Sequence, residues 1–303
     1  MGKPQTFQAA PSLRQAADDI LAEIRRALEA LSADNPSVAV HDYRLGLKRW
    51  RALLRLLHGQ IGDEAVALRQ EARLLSHIFD RSRDAQAALD ALTDIADSKE
   101  IAAPSISQRT RTTIADRLEG IRKTSETSAL DAEGLQRVQA GLARALASAS
   151  AWPLERMTFG DVATALGQSY RRARRRLPKH WEAASAEDIH EFRKAVVTFR
   201  YQLELIEPLW PKMWRTYAGE VQKLRVRLGK SNDLVVLSGL TQPKQPLAHW
   251  RSRLALPIET QRKFHLDRAR ALASRMFAEA PRSFQKRIDA MWKAADTVGT
   301  ESV

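Results

Sequence analysis

The stretch from Val40 to Leu57, VHDYRLGLKRWRALLRLL, sets one histidine and a run of cations among leucines. An α-helix turns about 100° per residue, so His41, Arg44, Lys48, Arg51 and Arg55 fall within an arc of about 80°. Tyr43, Leu47, Trp50, Leu54 and Leu57 fill the neighbouring arc, the one a helix turns toward a core. Like charges three and four residues apart repel, and the stretch holds too few acids to offset them. A site for an extended anion accounts for this stripe. Arginine suits the task because its planar fork makes bidentate bonds to phosphate oxygens. A solvated basic face, with arginine stems laid over apolar surface, is the plain alternative.

The pattern occurs twice. From Ile189 the chain reads IHEFRKAVVTFRYQLELI, and an offset of 149 places His41 on His190, Arg44 on Arg193, Arg51 on Arg200 and Leu54 on Leu203. Tyr43 meets Phe192 and Trp50 meets Phe199, while Val197 stands for Lys48 and Glu204 for Arg55. Lys194 lies at the margin of the second stripe. The same register carries Arg25 and Arg26 onto Arg174 and Arg175, and Ser82 and Asp84 onto Ser231 and Asp233. An ungapped register from Arg25 to Asp84 indicates a duplication, with about four core helices in each half and the two units packed around a pseudo-twofold axis. The run YRRARRR, from Tyr170 to Arg176, adds Arg171, Arg174 and Arg175 on one side of a helix that begins the second half.

The two histidines lack the spacing of metal ligands, since each is followed three residues later by arginine rather than by His, Asp or Glu. A hydrogen bond to phosphate or a carboxylate, or a structural bond between helices, are the roles left open for them. Asp84 and Asp233 each follow a serine by two residues, which reads as a capped helix start with a carboxylate in its first turn, with orienting the arginines of the stripe as the alternative role.

Composition narrows the function further. The 303 residues carry 49 Lys and Arg against 36 Asp and Glu, a net charge of +13, which points to a polyanionic partner. With no cysteine, disulfides, Fe–S clusters, thiolate zinc sites and cysteine nucleophiles are excluded. No metal site, cofactor or catalytic residue is visible, so the expectation is a binding protein rather than an enzyme. No run of about 18 apolar residues marks a membrane span, and MGKPQTFQAAPSL lacks the apolar core of a secretion signal.

The elements that must position these residues read as helices almost throughout. The first carries Leu13, Ala17, Ile20, Ile24, Leu28 and Leu31; Asn35-Pro36-Ser37 punctuates before the basic helix; a third runs from Asp63 to Phe79, and a fourth starts near Arg83 behind a Ser82 cap. Charged and amphipathic helices follow at about 112–123 and 135–147, then Ser185-x-x-Asp188 forms a capping box before IHEFRK. Helices at 250–254 and 257–295 close the pattern. Residues 1–8 and 297–303 read as loose tails.

His41-x-x-Arg44-x-x-x-Lys48-x-x-Arg51, His190-Glu191-Phe192-Arg193-Lys194, Phe199-Arg200-Tyr201 and the RD and LGKSND segments ending in Asp84 and Asp233 together resemble the CHAD family, the conserved histidine α-helical domain. The resemblance covers about residues 9–296, with a first repeat at about 9–150 and a second at 152–296. It implies an all-α domain of two tandem four-helix-bundle repeats with a basic central groove. It also implies binding of inorganic polyphosphate, with some family members on polyphosphate granules and a cytoplasmic location. The residues it carries over are His41, Arg44, Lys48, Arg51, His190, Arg193, Lys194 and Arg200, with Arg25, Arg174 and their neighbours as secondary members. Val197 stands where the family places a cation, so that half of the groove is expected to bind more weakly. Many members carry an N-terminal triphosphatase domain, whose E-x-E-x-K signature is missing here, so a stand-alone module is expected. Nucleic acid is the alternative polyanion for the same surface.

Overall fold

The computed structural model describes residues 9–31, 36–98, 106–207 and 210–300. The described residues form eleven α-helices and no strand: α1 (Ala9–Ala30), α2 (Pro36–Ile61), α3 (Asp63–His77), α4 (Asp80–Ala96), α5 (Gln108–Ala129), α6 (Ala132–Ser150), α7 (Phe159–Arg176), α8 (Ala186–Leu205), α9 (Pro211–Leu240), α10 (Arg251–Met276) and α11 (Pro281–Thr300). Their starts follow local chemistry. Ser185 accepts from the Asp188 N–H at 3.1 Å while the Asp188 carboxylate accepts from the Ser185 N–H, the box expected for α8. Thr158 and Asp161 do the same for α7, and Asp131 caps α6 through the Gly134 N–H. Pro211 sits in the first turn of α9, where its missing N–H is no loss.

Helix bounds follow the 149-residue offset. Moved by that amount, α1 lands on α7, α2 on α8, α5 on α10 and α6 on α11. Both α3 and α4 land on the single helix α9. The first copy breaks at Ile78-Phe79; the second runs straight through Arg227-Leu228.

Two apolar cores hold the helices. The larger gathers α1, α2, α3 and α6 with α7, α8, α11 and the adjoining ends of α9 and α10, around Trp50, Phe79, Tyr170, Phe192, Phe199 and Phe284. The smaller is drawn from both halves: Ala88, Leu92 and Ile95 of α4, Ile114 and Leu118 of α5, Leu234 and Leu237 of α9, and Leu254 and Ile258 of α10. The halves also meet where α2 packs on α8 and α4 on α9. Gly46 lets α1 approach α2, since a Cβ there would meet the Ile24 side chain at 2.5 Å.

Several boundaries differ from the sequence reading. Ser82 is not a cap: α4 starts at Asp80, and Ser82 is buried within it, donating to the Phe79 carbonyl at 3.1 Å. Ser231 is likewise buried inside α9, so neither Asp84 nor Asp233 gains its place from a capping serine, and Asp233 lies far from any helix start. Helix α10 runs through Pro257, and the break expected there falls instead at Phe277–Ala280. Residues 297–300, expected in the second tail, continue α11. Asn35 and the expected tail at 1–8 lie outside the described residues, as do 301–303 of the second tail.

Candidate functional site

Five cations from four helices converge where the halves meet. Helix α2 supplies Arg44 and Lys48, α4 Arg83, α8 Arg193 and α9 Arg225. Lys48 is at their centre. Burial and then the charges of Arg193, Arg44, Arg225 and Arg83 push its ammonium down to about 7. Lys48 makes no hydrogen bond or ion pair among the described residues. Of the others, Arg83 pairs with its neighbour Asp84 at 3.1 Å, and Arg225 donates to Gln222 at 2.7 Å.

Arg44 and Arg193 are equivalent in sequence but not in structure. Arg44 is 6% exposed and donates to the carbonyls of Phe79 at 2.9 Å and Ser76 at 3.4 Å. Both carbonyls lie beside the break between α3 and α4, where the Phe79 carbonyl also accepts from the Arg83 N–H at 3.0 Å and the Ser76 carbonyl from the Phe79 N–H at 3.4 Å. Arg44 therefore braces that junction, with Asp80 at 3.8 Å as its acid. Burial and Arg83 lower its guanidinium to about 10, which leaves it charged at neutral pH. The second copy has no such break, because α9 is continuous there. Arg193 therefore finds no carbonyl to hold, and its buried Nε has no partner. Burial lowers the Arg193 guanidinium, with Asp233 as the charge that opposes the effect.

Asp233 and Asp84 serve the cluster rather than a helix end. Burial pushes Asp233 up to about 6 against the pull of Arg193, and burial also raises Asp84 beside Arg83. Of the two roles open to these carboxylates, a first-turn acid and a partner of the stripe's arginines, the second fits the structure: Arg83 and Arg44 act on Asp84, and Arg193 on Asp233.

The other expected site residues divide. Arg51 and Arg55 continue the stripe along α2, and burial with neighbouring arginines lowers both. His190 donates Nδ1–H to the Asn232 side-chain oxygen at 2.9 Å, a bond between α8 and α9. Burial lowers its pKa, so the ring is neutral at pH 7 with Nε2 left to accept. His41 is exposed; the position of Asn232 is taken in its half by Arg83. Lys194 is exposed and paired with Glu191 at 2.6 Å, and Arg200 is paired with Glu204 at 2.8 Å. Arg25 and Arg26 lie exposed on α1, and Arg171, Arg174 and Arg175 lie exposed on α7. Arg174 donates to the Phe277 carbonyl at 3.0 Å, away from Lys48. None of these five is among the cations that act on Lys48.

The sequence reading passed over Arg83 and Arg225, and also Arg69, Arg73 and Arg172, which act on Arg51 and Arg55. Arg172 was legible in principle. It stands beside buried Ser169 on the helical wheel, whereas Arg171 and Arg175 stand opposite the buried face.

The arrangement gathers positive charge from four helices with few acids among them. Tyr43, Trp50, Phe192 and Phe199 are each no more than 2% exposed, so no aromatic of the repeat offers a face to a base. Among the described residues no three His, Asp or Glu side chains gather as a metal ion needs, and no helix is long and apolar enough to cross a membrane.

A model of the CHAD domain matches residues 15–242. The crystal structure of the CHAD domain from the plant Ricinus communis is similar in fold, with a TM-score of 0.59 and 20% identity over 90% of this chain and 94% of that one. No curated protein matches the chain.

Proposed function

This chain belongs to the CHAD family, and on that premise we propose that it binds inorganic polyphosphate without cleaving it. The binding groove of this reading is the cationic seam between α2, α4, α8 and α9. The observation that carries it is Lys48, held among Arg44, Arg83, Arg193 and Arg225 with no acid of its own. Cations gathered from both halves repel one another, and a bound chain of phosphates offsets that repulsion. Arginine forks and an ammonium can each take phosphate oxygens, and the depressed Lys48 regains its proton when the anion arrives.

Nucleic acid is the other polyanion of matching charge. The burial of the repeat's aromatic residues favours a ligand that needs no stacking. A home on polyphosphate granules is part of the same proposal.

Titration of long-chain polyphosphate into the protein at rising salt tests the reading. Binding that weakens steeply with salt is expected. RNA or DNA that displaces the polyphosphate at equal phosphate concentration would transfer the site to nucleic acid. Phosphate release that tracks the purified protein and disappears in Lys48→Met would make the protein an enzyme.

A further inference from the structure

The basic stripe of α2 does not stop at Lys48. Arg51 and Arg55, up to about 16 Å along the helix from Arg44, meet Arg69 and Arg73 of α3 and Arg172 of α7. Burial first, then Arg172, Arg69 and Arg51, lower the Arg55 guanidinium to about 10. Burial and Arg172 lower Arg69 as well. Arg51, Arg55, Arg69 and Arg172 form no ion pair among the described residues. Arg55 and Arg69 line an open cleft of about 370 Å³ together with His58, Gln60, Thr164 and Gln168. The one acid of that cleft, Asp161, is engaged by Thr158 in the cap of α7.

At the offset of 149 the opposite end of the seam has a different content. Arg51 becomes Arg200, Arg55 becomes Glu204, Arg69 becomes Ala218, and Arg172 stands for Glu23. Arg200 is paired with Glu204 at 2.8 Å, and Arg49 donates to both carboxylate oxygens of Glu23. Four unpaired guanidiniums at one end thus face two cations matched by two carboxylates at the other.

We propose that polyphosphate leaves the central seam on one side only, where Arg51, Arg55, Arg69 and Arg172 form a second phosphate subsite, and that Glu23 and Glu204 close the other side. This rests on the polyphosphate reading above. Short chains fill the centre alone; chains long enough to run along α2 reach the subsite and bind more tightly for it. The protein therefore selects for length and fixes one end of the bound polymer.

The test compares tripolyphosphate with long-chain polyphosphate on wild type and on Arg69→Gln/Arg172→Gln, with helicity checked by circular dichroism. The double variant is expected to lose at least tenfold in long-chain affinity. The slope of its log affinity against log salt falls by about 1.4, at about 0.7 for each phosphate of a flexible polyanion that is no longer neutralised. Tripolyphosphate affinity stays within twofold. The mirror variant Glu23→Gln/Glu204→Gln, which frees Arg49 and Arg200, is expected to bind long chains more tightly and with a steeper slope. Equal losses for short and long chains, or no loss for either, overturn the subsite. A wild-type protein that binds neither polymer removes the reading beneath it as well.

Discussion

Arg44 of α2 and Arg193 of α8 are equivalent at the 149-residue offset, yet one holds backbone carbonyls and the other holds none. The difference lies in the helix opposite each. In the first half the chain breaks at Ile78-Phe79, and Arg44 adds its hydrogen bonds to the Phe79 and Ser76 carbonyls beside the break. In the second copy α9 passes the same point unbroken and offers Arg193 nothing, so its Nε is buried without a partner. A repeated motif thus fixes where a side chain stands, while the neighbouring backbone decides whether that side chain is spent on the fold or left for a ligand. The two ends of the seam repeat the lesson with charge, since Glu204 and Glu23 neutralise at one end what Arg55 and Arg172 leave open at the other.

The largest expected effect breaks this comparison at Arg44. Arg44→Met removes a buried charged donor from the Phe79 and Ser76 carbonyls and should lose about 1.5–3 kcal/mol of stability, the range for a hydrogen bond from a charged group. Arg193→Met removes a guanidinium that holds no carbonyl, and gives up only the attraction of Asp233, so it should cost clearly less stability than Arg44→Met. Urea unfolding of the two variants checks this, and equal losses would erase the distinction.

Binding should invert that order. Arg193→Met removes a charge-assisted hydrogen bond to phosphate, at about 1.5–3 kcal/mol, and should weaken polyphosphate binding about tenfold or more. Anisotropy titration of a labelled polymer measures it, with wild-type affinity as the contrary result.

The pH dependence is smaller and has a defined sign. The Lys48 pKa is lowered in the fold to about 7 from its usual 10.5. The unfolded chain thus binds the extra proton between those values, and the stability of the free protein rises with pH across pH 7–10. Binding runs the other way: affinity falls above pH 7 as the ammonium is lost. Lys48→Met should flatten both profiles, which thermal unfolding and titration at pH 6, 7 and 8 would follow. The smallest effect belongs to the start of α8, where Ser185→Ala should lose about 1 kcal/mol with the cap.

Much of this was legible before any coordinates. The helical period placed Leu13, Tyr43, Trp50, Phe192 and Phe199 in the core, and the capping box at Ser185 fixed where α8 begins. The stripe on α2 was visible because its charges share one helix. Arg83 and Arg225 were not, because they lie on other helices and join the cluster only through tertiary packing. Local rules also misled at Ser82 and Asp84, where a cap pattern occurs inside a helix that starts two residues earlier. At Ser231 and Asp233 the same pattern sits within a helix that never breaks. The break between α3 and α4 was legible to within a few residues; what no pattern could show was that Arg44 reaches the carbonyls beside it while Arg193 meets an unbroken helix.

The central claim is that polyphosphate lies on Lys48, and amine labelling tests it most directly. A small amine-reactive reagent applied near pH 7.5, with modified residues counted by mass spectrometry, reads Lys48 and Lys194 in the same sample. Lys48 has lost much of its proton at that pH and is reactive, while Lys194 is exposed and paired with Glu191. Long-chain polyphosphate should protect Lys48 strongly and leave Lys194 nearly untouched. Labelling of Lys48 at the same rate with and without saturating polyphosphate would contradict the account.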